Sequence, residues 1–415
     1  MTLAFRWAAI AGLLMLTAQS ARAIPAFARK YNVSCSMCHA PIPRLNALGE
    51  SFAANGFEFA VGEEPRDTIT TGDPLLRLQR DIPLAIRFDT YGRVLSNVQP
   101  DQTSTDLQLP WVVKLLSGGQ VANKVSYYAY FLVSERGEVA GLEDAYVQFT
   151  DIASSGVSLI AGQFQVSDPL FKRELRLPYE DYQPYRARIG ATRADLTYER
   201  GLMALFSPWS GSDVALQVVG GHGLSAATAS RSYDRDNGKN LAARLSQDVG
   251  PVRLGVFGYL GTERADGVRN RFNIWGPDAT IPLAGAGELN VQYLRRHDDD
   301  PFLGACSVSA PCPGGEVRPF SSVVNSALAE ATFWPQGAAG RWFVSALYNF
   351  IDAEHPVVSL RLGEQDRAPG YLRRYQTGSA GLHYVYRRNI RFLWEGGWDF
   401  EREQASLVTG AVLAF

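Results

Sequence analysis

Ile390-Arg-Phe-Leu-Trp-Glu-Gly-Gly-Trp-Asp-Phe-Glu401 is written in period two. Ile390, Phe392, Trp394, Gly396, Trp398 and Phe400 share one parity; Arg391, Leu393, Glu395, Gly397, Asp399 and Glu401 share the other. Successive side chains of a strand point to opposite faces, so this stretch predicts a strand with one apolar and one largely charged face. The pattern recurs upstream. Leu241, Ala243 and Leu245 alternate with Ala242, Arg244 and Ser246; Val252, Leu254 and Val256 with Arg253, Gly255 and Phe257; Leu289, Val291 and Tyr293 with Glu288, Asn290 and Gln292. A lipid-facing exterior around a wet lumen produces this alternation. A soluble β-sandwich produces it too, with the faces reversed.

Three features favour the barrel. Aromatic residues gather towards strand ends (Trp111, Tyr127, Trp209, Trp334, Trp394, Trp398), as interface girdles require. The chain closes on an alternating segment, Leu407 to Phe415, whose last residue is aromatic. Connections alternate in length: turns such as 248–251 and 388–389 are short, whereas 96–106, 168–192, 224–239, 299–321 and 354–370 are long. Short periplasmic turns and long outer loops mark a barrel with both termini inside. The expectation is an all-β, transmembrane outer-membrane barrel of about sixteen antiparallel strands, starting near 83, 107, 124, 141, 157, 193, 213, 240, 252, 270, 287, 322, 341, 371, 390 and 406. Residues 75–415 then allow about 21 residues per strand and connection, which suits strands of ~10 residues.

Composition agrees. The 415 residues are 46% hydrophobic and 20% charged, with mean hydropathy −0.11. Past the leader no uncharged apolar run reaches the ~18 residues of a spanning helix, which excludes a helical membrane bundle. Lys+Arg 40 against Asp+Glu 42, with no basic block, excludes nucleic acid as partner. No Ser-His-Asp or paired-carboxylate arrangement stands out, so no hydrolase is proposed.

The first 23 residues read as a signal peptide: basic Arg6, the apolar run Ala8 to Leu16, and the cleavage site Ala21-Arg22-Ala23. The mature chain is expected to begin at Ile24. Loss of Arg6 and Arg22 leaves 38 basic and 42 acidic residues. An exported chain enters an oxidising compartment. Soon after comes Cys35-Ser-Met-Cys38-His39, the C-x-x-C-H pattern of covalent haem c. Two thiols bond the porphyrin's vinyl groups and His39 turns onto the iron. A redox dithiol would want a thioredoxin-like βαβ context, and zinc a second ligand pair; neither surrounds the motif. The sixth ligand stays open among Met203, Asn46, Lys30, a barrel side chain such as His222, His297, His355 or His383, and none. Residues 24–74 are thus expected to form a small haem c plug, and 75–415 the barrel.

Pro25-Ala-Phe-Ala-Arg-Lys-Tyr31, the haem motif, Pro43-Arg-Leu-Asn-Ala-Leu-Gly49 and Phe52-Ala-Ala-Asn-Gly-Phe57 resemble the head of the fused monohaem cytochrome–porins, as does Gly162 to Glu174 in the barrel. Leu48 and Phe57 depart from the Phe and Tyr of that pattern. The resemblance implies electron uptake from extracellular Fe(II) through one haem in the lumen. A periplasmic acceptor, a soluble cytochrome or copper protein, would collect the electron. Its rivals are a conduit of other direction or donor, and a diffusion porin whose haem head is a gate.

Iron favours hard oxygen or imidazole ligands. His297-Asp298-Asp299-Asp300, opening a long loop, is the densest such cluster and a candidate Fe(II) approach site, although a run of this kind is more often a solvated acidic loop. Glu180-Asp181 and the basic stretch Lys172 to Arg176 share another long loop, which either folds inward towards haem propionates or lines the rim. Cys306 and Cys312 enclose five residues of an outer loop, where an oxidising compartment favours a disulfide.

Overall fold

Sixteen strands meet edge to edge in one ring. The computed structural model describes residues 26–66, 68–98, 103–234, 237–265, 267–304, 320–360 and 371–415. The leader and the Cys306–Cys312 pair lie outside them. In chain order the ring strands are β1 (Leu84–Leu95), β2 (Thr105–Ala122), β3 (Val125–Glu135), β4 (Gly141–Phe149), β5 (Ser158–Gln165), β6 (Tyr198–Phe206), β7 (Ser212–Val219) and β8 (Asn240–Val249). They continue as β9 (Val252–Ala265), β10 (Val268–Pro282), β11 (Gly287–Asp298), β12 (Ser322–Phe333), β13 (Trp342–Ala353), β14 (Arg374–Arg387), β15 (Ile390–Asp399) and β16 (Gln404–Ala414). Neighbours run antiparallel, and β16 returns to β1 with Gly410 opposite Tyr91. Phe415 and Ile86 complete the seam by exchanging backbone hydrogen bonds of 2.6 and 2.8 Å. A closed ladder leaves no edge of unpaired N–H and C=O groups, which is what lets strands cross lipid.

The alternating stretch from Ile390 becomes β15. Arg391, Leu393 and Glu395 are buried within the ring, while Trp394 and Trp398 stand exposed outside. On β13, Ser345 and Asn349 point in, and Trp342, Val344 and Tyr348 point out. Asn349, Glu330 and His383 are 0% exposed, whereas Leu260 is 63% and Leu407 56% exposed. A soluble sandwich would bury those leucines. This ring buries its polar face and shows the apolar one, so its exterior is built for lipid. Among the described residues no helix is long and apolar enough to cross a membrane.

Fourteen of the sixteen expected strand starts fall within two residues of the observed ones. The larger differences are at 193 and 371, where strands begin instead at Tyr198 and Arg374. Ala194 and Leu196, which had looked like strand, are buried inside the ring on a returning loop. At one end every connection is short: 123–124, 150–157, 207–211, 250–251, 283–286, 334–341 and 388–389. The other end is mixed. Connections 96–104, 166–197, 220–239, 299–321 and 354–373 are long, but 136–140, 266–267 and 400–403 are tight turns, so length alternates only in part. The short-turn end holds both barrel termini and is the periplasmic end by the usual rule.

Two segments fill the lumen. Connection 166–197, one of the long outer loops, turns inward. Glu174 accepts from Lys114 (2.5 Å) on β2 and Tyr130 (2.8 Å) on β3. Tyr182 donates to Glu330 on β12 (2.8 Å), Asn349 on β13 donates to the Asp181 carbonyl (2.9 Å), and the Tyr179 and Glu180 amides donate to Glu395 on β15 (2.7 and 3.0 Å). Its apolar residues Phe171, Tyr185 and Leu196 pack on Phe257, Ile274 and Leu347 of the wall. The second filler is the amino-terminal segment, which leads into β1 through a small hairpin, Thr68–Thr70 with Arg77–Gln79.

Candidate functional site: the head and the lumen

The head folds around its aromatic residues. Helix α1 (Ala26–Tyr31) and helix α2 (Ala47–Ala54) bring Phe27, Tyr31, Phe52 and Phe57 together, with ring centroids 5.3 Å apart for Phe27–Phe52 and 4.9 Å for Phe27–Phe57. Tyr31 donates to the Phe57 carbonyl (2.6 Å). The cluster extends into the wall, where Phe57 stacks on Tyr128 of β3 at 5.4 Å. Gly56 makes that approach possible: it has φ +75°, and a Cβ there would sit 2.7 Å from the Ser126 hydroxyl and 2.8 Å from that of Thr150. On the far side Arg44 pairs with Glu288 and Glu330 and donates to Thr332 (3.3 Å). Gln148 of β4 holds the Ala54 carbonyl (2.7 Å). The head therefore lies within the ring at the short-turn end, gripped by β3, β4, β11 and β12.

Between the helices, a single 3₁₀ turn (Cys35–Met37) presents the motif. The amides of Cys38 and His39 return to the Cys35 carbonyl (3.3 and 2.9 Å), placing both cysteines and the imidazole on one tight turn. Asn46 braces it: its side chain caps the Gly49 amide (2.9 Å) and donates to the Met37 carbonyl (3.0 Å), while its own amide donates to the Cys38 carbonyl (2.9 Å). Gly49 packs so closely that a Cβ would fall on the Cys38 carbonyl oxygen. His39 Nδ1 lies 2.6 Å from the Pro43 carbonyl, which fixes Nδ1 as the donor and leaves the Nε2 lone pair as the one that could ligate a metal. Burial pushes the His39 pKa down and holds the ring neutral, the form that binds metal. Cys35 and Cys38 are free, half-buried thiols. Two thiols and a neutral, carbonyl-oriented imidazole on one turn fit a c-type haem.

The other named ligand candidates are engaged elsewhere. The Asn46 amide is spent on its cap. Lys30 Nζ lies over the Tyr31 ring at 5.6 Å. His383 sits between Ser345 (2.7 Å) and Arg391 (3.2 Å). His222 pairs with Asp234 at 2.8 Å, and His355 packs on Phe320. Met203 is buried with Ile160 and Phe164.

The His297–Asp300 cluster is divided between two faces of the wall. Asp298 is fully buried inside, held by Arg296 (2.7 Å) and Asn270 (2.7 Å), and Asp300 is buried beside it. His297 lies on the opposite parity of β11, 3.8 Å from the exposed Asp299. Among the described residues no three His, Cys, Asp or Glu side chains converge as metal ligands.

Of the two alternatives for Lys172 to Arg176, the structure takes the inward one. Arg173 is buried and forks onto Asp181 (3.0 and 3.1 Å). Arg186 and Arg176 also approach Asp181, at 2.9 and 3.6 Å. Three guanidinium groups around one carboxylate hold the Asp181 pKa far below the usual range despite burial. Its neighbour Glu180 has no such company, and burial raises it to about 7. Lys172 reaches down to Glu50 of α2 (3.2 Å), so loop and head touch, and Ile42 packs against the cluster of Leu177, Phe343 and Val385. Above the loop lies an outer vestibule of about 1080 Å³, lined by β1–β3 and β14–β16 together with the loop. Sequence reasoning missed the loop's anchors, Glu330, Asn349 and Glu395, because single polar residues inside alternating strands carry no local signal.

No protein-family model and no curated protein matches the chain. Solved structures do. A loop L8 deletion mutant of OmpT from Vibrio cholerae superposes with TM-score 0.52 at 11% identity, covering 81% of this chain and 99% of that one. The outer-membrane channel DcaP of Acinetobacter baumannii gives TM-score 0.52 at 11% identity, covering 81% and 97%. OmpF of Salmonella typhi gives 0.52 at 12%, covering 80% and 98%. Identities this low speak of fold alone: the ring is a porin-type outer-membrane barrel.

Proposed function

We propose that this chain is an outer-membrane electron-transfer cytochrome–porin, an oxidoreductase that takes electrons from extracellular Fe(II) and passes them to a soluble periplasmic cytochrome or copper protein. The observation that carries the reading is the Cys35–His39 turn, its imidazole neutral and oriented by Pro43 at 2.6 Å, set in the short-turn mouth of a transmembrane barrel. Haem bound there supplies a one-electron carrier. The chain's residues do the rest. Cys35 and Cys38 anchor it, His39 Nε2 ligates it, and the aromatic cluster of Phe27, Phe52 and Phe57 fixes the turn against the wall. The 166–197 loop screens the head from the outer vestibule and from bulk water, which lowers the local dielectric around the iron. Oxidation outside keeps insoluble ferric product out of the periplasm.

Stopped-flow mixing of the haem-loaded protein with Fe(II) tests this; absence of haem reduction overturns the iron reading. A diffusion porin with a gating head is the second reading, favoured by the Lys172–Glu50 pair that ties head to loop. Substitution of His39 separates the two: solute flux survives in a porin, and electron transfer collapses in a cytochrome.

A further inference from the structure

One corner of the outer vestibule holds guanidinium donors that lack acceptors among the described residues. Arg136 stands at the turn between β3 and β4, its amide donating to the Trp111 carbonyl (2.8 Å) and its guanidinium 5.4 Å over the Trp111 ring. Its Nε and Nη1 are buried with no hydrogen-bond partner among the described residues. Glu135 Oε1 is 3.9 Å from Nε, too far to accept. Across the corner, Arg93 of β1 has a buried, unpartnered Nε as well. Asp106 stays 3.9 Å from its Nη2 and accepts from Gln108 (3.0 Å) instead. Tyr179 of the inner loop completes the corner: its ring lies 6.2 Å from that of Trp111, its hydroxyl donates to Gln108 (3.2 Å), and the charges of Arg93 and Arg136 both act on it.

Arginines elsewhere in the lumen have partners: Arg87 meets Asp89 at 2.7 Å, Arg173 meets Asp181 at 3.0 Å, Arg296 meets Asp298 at 2.7 Å, and Arg391 donates to the Leu177 carbonyl at 2.9 Å. The orphan donors are local. Burial and the neighbouring Arg186 charge push the Arg136 pKa down, and the charges of Glu135 and Asp181 offset this only in part. An arginine stays charged regardless, so the strain is relieved by a ligand rather than by proton loss. The acceptor that matches a planar fork is a carboxylate, and the flanking Trp111 and Tyr179 rings suit the body behind it.

We propose that this corner binds a small carboxylate-bearing anion, its oxygens taken by Arg136 and Arg93. None of these residues belongs to the head, so the site stands whether or not iron is the electron donor. The carboxylate arrives free or as the arm of an iron chelate, and the test separates the two.

Haem-loaded, full-length protein in detergent is titrated calorimetrically with citrate and, anaerobically, with ferrous citrate. Saturable binding is expected. Arg136→Gln and Arg93→Gln should each weaken it about tenfold or more, the scale of one charge-assisted hydrogen bond. Glu138→Gln, exposed on the same turn, should leave it unchanged, and heat-modifiable gel mobility confirms that each variant keeps its barrel. Equal affinity for the two probes supports the free carboxylate; tighter binding of the iron complex supports the chelate. No saturable heat with either probe, or wild-type affinity in both arginine variants, overturns the site.

Discussion

Asp181→Ala should unfasten the inner loop without breaking the barrel. The carboxylate is 6% exposed and meets Arg173, Arg186 and Arg176 at 3.0, 2.9 and 3.6 Å. Its removal leaves one buried and two partly buried guanidinium groups facing one another. Breaking a buried pair by deleting one partner costs about 3–5 kcal/mol. Here the cost falls on loop closure, since among the described residues the wall's hydrogen bond to Asp181 is that of Asn349 to its backbone carbonyl, which alanine keeps. At ~1.4 kcal/mol per decade the open population rises about two to three and a half orders of magnitude. Trypsin reports it, because Lys172, Arg173, Arg176 and Arg186 all lie in the loop. When opening is fast relative to cleavage, the cleavage rate tracks the open population. The expected result is rapid cutting between 172 and 186, with heat-modifiable barrel mobility retained. Asp181→Asn, which keeps one acceptor oxygen, should fall between. Wild-type resistance to trypsin in Asp181→Ala would refute the ion cluster as the loop's fastener, and loss of the folded barrel would refute the independence of loop and wall.

Gly49→Ala should reduce covalent haem content severely, since a Cβ would collide with the Cys38 carbonyl; a full pyridine-haemochrome yield from a folded barrel would contradict the packing. The loop should also loosen as pH rises. Glu180, raised to about 7 mainly by burial, and Asp168, raised to about 6 likewise, bind protons in the closed loop that an open loop has released above ~4. Their contribution to closure is full below the unfolded values and is lost as pH climbs through 6 and 7. Asp181, depressed, acts oppositely and withdraws its support only below ~4. Amide exchange across 172–186, corrected for intrinsic rate, should therefore be slowest near pH 4–5, and Glu180→Gln should flatten the rise towards 7. Tyr182→Phe removes the donor to Glu330 (2.8 Å) and should cost about 1–2 kcal/mol of closure, read by the same exchange.

Strand positions were legible because each barrel strand answers to a single local rule. Ile390–Asp399 alternates because one parity meets lipid and the other does not, and neighbouring residues suffice to show it. The face assignment was not legible from alternation alone, and it took the buried Glu330, Asn349 and His383 to decide it. The Cys35–His39 pattern was legible because covalent haem attachment would need three residues in one turn, and 35–39 do fold as one. The inner loop was not. Its inward fold depends on Glu174 finding Lys114 and Tyr130, and on Glu395 finding two loop amides, partners separated by up to 216 residues. The His297–Asp300 cluster misled for a related reason: adjacency in sequence is separation in a strand, so Asp298 turns inward to Arg296 while His297 faces away. Likewise Arg93 and Arg136 carry no shared signature, being joined only by the closing of β1 against β2 and β3.

The closed loop poses a question that the electron-transfer proposal must answer: how does an electron from the vestibule reach the head beneath it? Either a reductant enters when the loop opens, or the electron crosses the closed, packed loop. Asp181→Ala separates the routes. If entry requires opening, the open population rises about a hundredfold or more, and reduction at limiting Fe(II) should accelerate with it, in step with trypsin cleavage. If the electron crosses the closed loop, that variant disorders the medium between vestibule and head, so reduction should stay level or slow while cleavage rises. Arg136→Gln sharpens the distinction, because it leaves the fastener intact and alters only the vestibule corner. Slower reduction by an iron carboxylate, with unchanged reduction by aqueous Fe(II), would place electron entry at that corner and above a closed loop.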